Sequence, residues 1–495
     1  MSVEQCNAQK NDYIWLQGYG SYWGFDSAQG LYYGNPKMDF NYSPVRIIRD
    51  SLVMNYTWTN TSYCDSNGNL LFYTNGCYIA NANGDTIENS DSLNWGYWLQ
   101  YEDPAHGYDG YNVKEGINAV QSLTNANQYY IIHSLIDTGG QSGGAILYTL
   151  LDMSLNNGKG KVLSKNQMLI NDKIGSSLAI VRHANGRYWW ILVQKKNTNC
   201  YYRILLDETG PHVLPDSVCA GASNTLTDYG PMNFSQDGSK LLSVGYNAGL
   251  NIFDFDRCTG NISNPLTIVY PFLIDSGWYG GGVATSPNSR YLYVCLIGYL
   301  FQYDLWANDI PGSVDTIAHY DGYGAPISSD FYTAQNGPDG KIYISCGDAD
   351  TVYNVINNPD LKGSQCDFVE HGVHLPSPSW GVPSFPNYRL AALPNSCDST
   401  IGVNEISSSK EQIIRVFPNP ANTVAVIDYG FTDWGKAQPT LQICNALGQL
   451  VYSKQLLMYS ALQQIDISRF AAGSYTVYIK RNTDVVATDR LVVVH

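Results

Sequence analysis

The sequence predicts an all-β protein: a seven-bladed β-propeller followed by a small Ig-like β-sandwich. Three observations predict it. A turn-and-strand unit recurs through the first 395 residues at intervals of 50 to 59. The last eighty or so residues break into short alternating apolar strands separated by Gly, Pro and Asn turns. The composition, with 46 Gly, 39 Tyr, 21 Pro and only 14% charged residues, suits many short strands and tight turns.

In the recurring unit a polar turn precedes an apolar strand. SNG leads into NLLFYT at 69, NAN into QYYIIH at 128 and ANG into RYWWILV at 187. QDGS leads into KLLSVG at 240, PNS into RYLYVC at 290 and PDG into KIYISC at 341. The starts are 59, 59, 53, 50 and 51 residues apart. A second strand follows each of the last five, with Asp152, Asp207, Asp254, Asp304 or Asn354 at a matching place. A period near fifty with several strands per unit is the signature of a propeller. The phase extends back to YIWLQG at 13 and on to NYRLAAL at 387, which gives seven blades over residues 1–395. The last blade would take its inner strand from SFPNYRL and its other strands from the N-terminal segment. Sharing a blade in this way removes an open sheet edge. Units such as FSQDGSKLLSVG resemble lactonase-type and other bacterial surface propellers; kelch and WD signatures are absent.

Residues 396–412, SCDSTIGVNEISSSKEQ, are Ser-rich and aperiodic and read as a linker. Residues 413–495 form the second domain, with IIRVFPNPA at 413–421, LQICNALGQLVYSK at 441–454, DISRFAAGSYTVYIKR at 466–481 and a final RLVVVH. Three words stand there in order: Phe417-Pro418-Asn419-Pro420, the Asn445 to Gln449 turn with Gly448, and Gly473-Ser474-Tyr475. This domain resembles the type A C-terminal sorting domain of the type IX secretion system of Bacteroidota. The resemblance implies the secretion machinery as a partner of residues 413–495. It also implies export through the periplasm to the cell surface or beyond, and a tail commonly removed after transit. The start, MSVEQCNAQKNDY, lacks the basic and apolar stretch of a leader. A leader removed from this sequence, or a misplaced gene start, is therefore expected. The words CDSNGNLLFYTNG, HANGRYWWILV and FPNYRLAAL make the whole layout similar to a large group of Bacteroidota secreted proteins. That likeness implies a propeller and a sorting domain, with no assigned activity.

A net charge of −15 without a Lys/Arg cluster argues against nucleic acid and anionic membranes as partners. No apolar run approaches the eighteen residues of a transmembrane segment. Eleven Cys point to an oxidising compartment. Local pairs are Cys64 with Cys77, Cys200 with Cys219 and Cys346 with Cys366. Closure of the ring by its ends suggests Cys6 with Cys397.

The search for catalytic chemistry returns little. Gly140-Gln141-Ser142-Gly143-Gly144 fits G-x-S-x-G, but a strand follows where a nucleophile elbow needs a helix. It reads as a hairpin loop. His371 and His374, with Asp367 and Glu370 nearby, match no known metal spacing, and Pro376 and Pro378 make the segment a loop. His133 and His183 border strands and read as structural. Asp65 to Asn69 lacks the order of a calcium loop and reads as a turn. No metal or cofactor is therefore expected. Aromatic residues remain. The stretch 89–116 carries Trp95, Tyr97, Trp98, Tyr101, Tyr108 and Tyr111 among Glu102, Asp103 and Asp109. Trp278, Tyr279, Tyr320 and Tyr323 stand in two further loops. Rings beside carboxylates are how proteins hold sugars; the plainer reading packs these rings onto the propeller. The sequence thus points to a binding or adhesion module for glycan or a matrix polymer. The alternatives are an extracellular hydrolase or lyase with a site in the propeller channel, and a structural component of a sheath or filament.

Overall fold

The computed structural model describes residues 9–494 apart from 28–29, 97–98, 101–109, 137–142, 176, 222–229, 246–248, 271–280, 325–329, 348, 394–396, 398–411, 432–438, 446–448, 457–459 and 482–483. The chain divides into two compact units, Met1–Ser399 and Thr400–His495.

Seven antiparallel sheets of three to five strands fill the described part of the first unit, with a small Phe25–Asp26/Leu31–Tyr32 ribbon beside them. The first sheet joins Ile14–Leu16, Asn35–Asp39 and Arg46–Asp50, and the second joins Thr61–Cys64, Leu70–Thr74 and Ile79–Asn81. The third to seventh sheets begin with the strands Ile117–Gln121, Ala179–Arg182, Met232–Phe234, Val283–Thr285 and Ala334–Asn336. Each then adds its strands in chain order, except that Val218–Cys219 of the fourth sheet returns to pair with Cys200–Asp207. The units recognised at 69, 128, 187, 240, 290 and 341 each fall on the second strand of a sheet.

The recurring polar turn has a simple cause. Its first Asp or Asn side chain caps the backbone that follows. Asp65 Oδ1 accepts from the N–H of Asn67 at 2.8 Å and of Asn69 at 2.9 Å. Asn185 serves Arg187 and Tyr188 in the same way, Asp237 serves Ser239, and Asn288 serves Arg290. Such Asx turns reverse the chain tightly and set the hairpin register. Three of the recurring third-strand Asp residues do similar work: Asp152 accepts from Ser154 N–H, Asp207 from Thr209 N–H, and Asp304 from Trp306 N–H while receiving both arms of Arg290.

The two ends of this unit meet. Trp15 is fully buried and packs on Phe40 at 4.9 Å, Tyr343 at 5.4 Å and Phe385 at 5.9 Å, which joins the first sheet to the seventh. Ser377 Oγ donates to Gly34 O across the same seam. The expected inner strand at SFPNYRL does not form. Residues 384–389 run past Ile14–Leu16 with no ladder to it. Pro383 and Pro386 carry no N–H to donate, and Asn387 turns the chain, with its side chain accepting from Arg389 N–H.

The cysteines also depart from expectation. Cys200 and Cys219 face each other across paired strands and are bonded. Cys397 is bonded to Cys258, not to Cys6, which lies outside the described residues. Cys64 and Cys77 are buried but not bonded to each other; they lie at opposite ends of one hairpin, because Cys64 pairs with Leu70 while Cys77 follows Thr74. Cys346 and Cys366 are likewise buried and not bonded to each other, at opposite ends of the seventh sheet. Burial pushes the Cys64 and Cys366 thiols upward, away from reactive thiolate.

The second unit is a two-sheet sandwich. One sheet joins Gln412–Phe417, Val424–Phe431 and Ser460–Asp466; the other joins Thr440–Asn445, Leu450–Gln455, Gly473–Arg481 and Asp484–Val493. Alternate residues such as Ala425, Ile427, Leu441, Ile443, Val477 and Ile479 point inward and form its core.

Candidate ligand-binding face

The segments that lead into the inner strands meet at one face of the first unit. Ser177 Oγ donates to Gly230 O at 3.1 Å, and Leu178 N–H donates to Glu115 O at 3.3 Å. A side chain at Gly282 would come within 2.8 Å of Ala334 N and 2.9 Å of Tyr332 O, so these lead-ins approach as closely as backbone allows.

Residues 384–389 cross the axis of the ring. Ser384 O accepts from Thr61 Oγ1, and Ser384 Oγ accepts from Asn118 Nδ2 at 3.2 Å. Phe385 N–H donates to Gln335, Asn387 Nδ2 to Gln236 O, and Tyr388 OH to Ala119 O. Arg182 donates to Tyr388 O, and Arg389 forms two bonds of 2.7 and 2.8 Å to Asp12. These partners come from the second, third, seventh, fifth and fourth sheets and from the lead into the first. A chain that reaches all of them runs across the middle of the ring.

Above this plug stands a collar of aromatic rings. Trp58 packs on Tyr332 at 4.9 Å and edge-on to Trp380 at 5.7 Å. Trp380 Nε1 donates to Tyr19 OH. Tyr19 packs on Tyr33 at 5.1 Å and on Trp23 at 6.1 Å. Lys114 Nζ lies 4.8 Å from the Tyr332 ring centre and 5.8 Å from that of Trp58, within cation–π range. Trp23 is 49% exposed.

Beside Trp58 a small cleft is lined by Glu115, Thr333, Gln335 and residues 381–384. Glu115 Oε2 is sheltered there without a hydrogen-bond partner. Burial pushes its carboxyl up to about 8, against the pull of Lys114. An acid held protonated in a cleft is a feature of both structural cores and active sites.

Among the residues singled out from the sequence, Trp95 is 55% exposed. Tyr111 is the correction: its ring is fully buried and its hydroxyl accepts from Ile136 N–H at 2.7 Å, so it is core. Tyr97, Trp98, Tyr101, Tyr108, Trp278 and Tyr279 lie outside the described residues, as do Glu102, Asp103 and Asp109. Sequence reasoning missed Tyr19, Trp23, Tyr33, Trp58, Tyr332 and Trp380. The available signal was position: Trp58 and Tyr332 precede inner strands, and Trp380 follows the last strand of the seventh sheet.

The histidines divide. His133 is fully buried between Asn94 Oδ1 at 2.6 Å and Thr149 Oγ1 at 3.0 Å, and burial pulls it down to about 3, so it stays neutral. His183 is buried beside Trp190 and bonds to Cys258 O. His374 lines a groove with Val45, Ile47 and Tyr343. His371 instead meets Asp321, with Nε2 3.3 Å from Oδ2.

In the second unit Asn419 ties two neighbouring carbonyl and amide groups: Nδ2 donates to Arg490 O at 2.6 Å and Oδ1 accepts from Val492 N–H at 2.8 Å. Tyr475 is buried, stacks near Phe470 at 5.2 Å and donates to Ala471 O at 2.8 Å. Phe417 and its neighbours Pro418 and Pro420 are exposed, whereas Gly448 lies outside the described residues.

Residues 415–494 match the family described as secretion system C-terminal sorting domain. No curated protein matches the chain. The first unit is similar in shape to three solved structures. A provisionally named 6-phosphogluconolactonase from Bacteroides fragilis has 10% identity and a TM-score of 0.41, covering 74% of this chain and 96% of that one. Its counterpart from Bacteroides uniformis has 10% identity and a TM-score of 0.39, covering 74% and 97%. The Dos1 propeller has 12% identity and a TM-score of 0.38, covering 68% and 91%. No helix among the described residues is long and apolar enough to cross a membrane. The chain is a β-propeller protein bearing a type IX secretion sorting domain, exported to the cell surface or the extracellular space.

Proposed function

We propose that the propeller is a surface-displayed binding module that takes carbohydrate, as free glycan or matrix polymer, on the aromatic collar. The observation that carries this reading is the pairing of a plugged axis with an open collar. Residues 384–389 bridge the inner parts of several described sheets. Above them Trp23 offers an exposed ring and Trp58 and Trp380 half-buried ones, with Lys114 beside Trp58. Stacking one ring on a sugar contributes about 1 kcal/mol, by analogy with other aromatic contacts. Useful affinity therefore needs several rings, or several copies on one polymer.

One observation favours the enzymatic alternative. Glu115 has the raised carboxyl of a general acid. Retention on an immobilised polysaccharide separates the two readings. Binding without turnover, weakened by Trp23→Ala and kept by Glu115→Gln, supports the module. Release of reducing ends that Glu115→Gln abolishes supports the hydrolase.

A further inference from the structure

We propose that Asp321, Glu370 and His371 bind one divalent transition-metal ion, Zn2+ by preference, which clamps the loop leaving the sixth sheet to the outer strand of the seventh. One imidazole nitrogen and one oxygen from each carboxylate lie within 4.8 Å of one another. His371 Nε2 and Asp321 Oδ2 are 3.3 Å apart. A tetrahedral site with bonds near 2.0–2.1 Å has edges of about 3.3 Å. One edge of such a site therefore already has its length.

Asp321 and His371 are held from behind. Asp321 Oδ1 accepts from Tyr323 N–H at 2.8 Å, which leaves Oδ2 facing His371. The Tyr323 ring lies 4.1 Å from the His371 ring. His371 N–H donates to Asn354 Oδ1 at 2.8 Å. The His371 backbone sits at φ 54°, a left-handed conformation that a strand residue adopts only when its surroundings impose it. That kink interrupts the pairing of the outer strand Phe368–Ser379 with Asp350–Ile356 between Tyr353 and Val355.

An independent feature favours a cation at this place. Glu370 Oε1 is sheltered from solvent and accepts no hydrogen bond. Asp350, fully buried and close enough to His371 for their charges to interact, also has an oxygen, Oδ2, with no donor. Enclosed carboxylate oxygens without donors are costly and rare. A dication beside Asp321 and Glu370 would balance their two charges. One imidazole with two carboxylates suits Zn2+ or Mn2+, whereas Cu+ prefers sulfur and Ca2+ needs six or more oxygens.

The test is calorimetric titration of Zn2+ into the full chain after chelator treatment, followed by Co2+ titration read in the visible. The proposal expects one ion per chain, a rise in Tm on Zn2+ addition, and Co2+ bands without thiolate charge transfer. Asp321→Asn and Glu370→Gln should each weaken binding by roughly 100-fold, since even outer-shell changes cost 10- to 100-fold. Their Tm in chelator should match that of the wild type. His371→Asn, which tolerates the left-handed backbone, serves if either variant is unfolded. Absence of a one-to-one ion, or wild-type affinity in the folded variants, would leave an ordinary ion pair and overturn the proposal.

Discussion

Glu115 places an acid where ionisation is costly, and that has a measurable consequence. Its folded pKa is near 8 against an ordinary 4.5. The unfolded chain therefore loses the proton first. Stability from this residue is complete below about pH 4.5 and falls as pH rises to about 8, with a slope of at most about 1.4 kcal/mol per pH unit. Glu115→Gln should flatten that decline, so the stability difference between variant and wild type grows from pH 4.5 to 8 in urea titrations. A constant difference would mean that the carboxyl is solvated. Single residues of the collar were hard to read from sequence for a geometric reason. Trp380 and Tyr19 are 361 positions apart and meet only when the ring closes. Asp321 and His371 are 50 positions apart, and VEHGVHLPSPSW, expected to be a loop because of Pro376 and Pro378, is instead the outer strand Phe368–Ser379. Tyr111 stood in an aromatic, acidic stretch that looked like surface, but its hydroxyl found Ile136 N–H and its ring went inside.

At the scale of elements, the repeat was legible because one device is used each time. A turn capped by Asp or Asn starts each second strand, and that pattern survives differences in loop length. Alternation in the tail was legible for the same reason, since its inward residues form a single core. The plug was not legible. SFPNYRL has the apolar content of a strand, and only its prolines and its bonds to five sheets and the lead into a sixth show another role. The Arg389–Asp12 pair anchors that plug, with Asp12 only 2% exposed. Arg389→Ala leaves Asp12 buried without its cation and should lower stability by roughly 3 kcal/mol in denaturant melts. Loss below 0.5 kcal/mol would show that the plug contributes little to closure. The Cys258–Cys397 bond closes a loop of 139 residues over the same segment. The chain-entropy model assigns such a loop about 5 kcal/mol. Cys397→Ser should lower stability in the same melts, and non-reducing peptide maps of the wild type should contain the 258–397 pair.

For the whole molecule, address and activity are separable. Residues 400–495 fused to a periplasmic reporter should carry it out of a host with type IX secretion, and Asn419→Ala, which removes two bonds to the last strand, should reduce export. A reporter retained in the periplasm would contradict the sorting role. The address was readable from short words in fixed order, because a sorting signal must be recognised by one machine. The ligand was not, because a binding face is assembled from loops that share no pattern. The collar is therefore the claim to test most directly. The measurement is binding of the full chain to a glycan array, compared with a Trp23→Ala/Trp95→Ala variant whose melting temperature is unchanged. Both rings are about half exposed, so the fold should tolerate their loss. The account predicts a saccharide class bound by the wild type and lost by the folded variant. Equal binding by both proteins, or no bound saccharide at all, would contradict it.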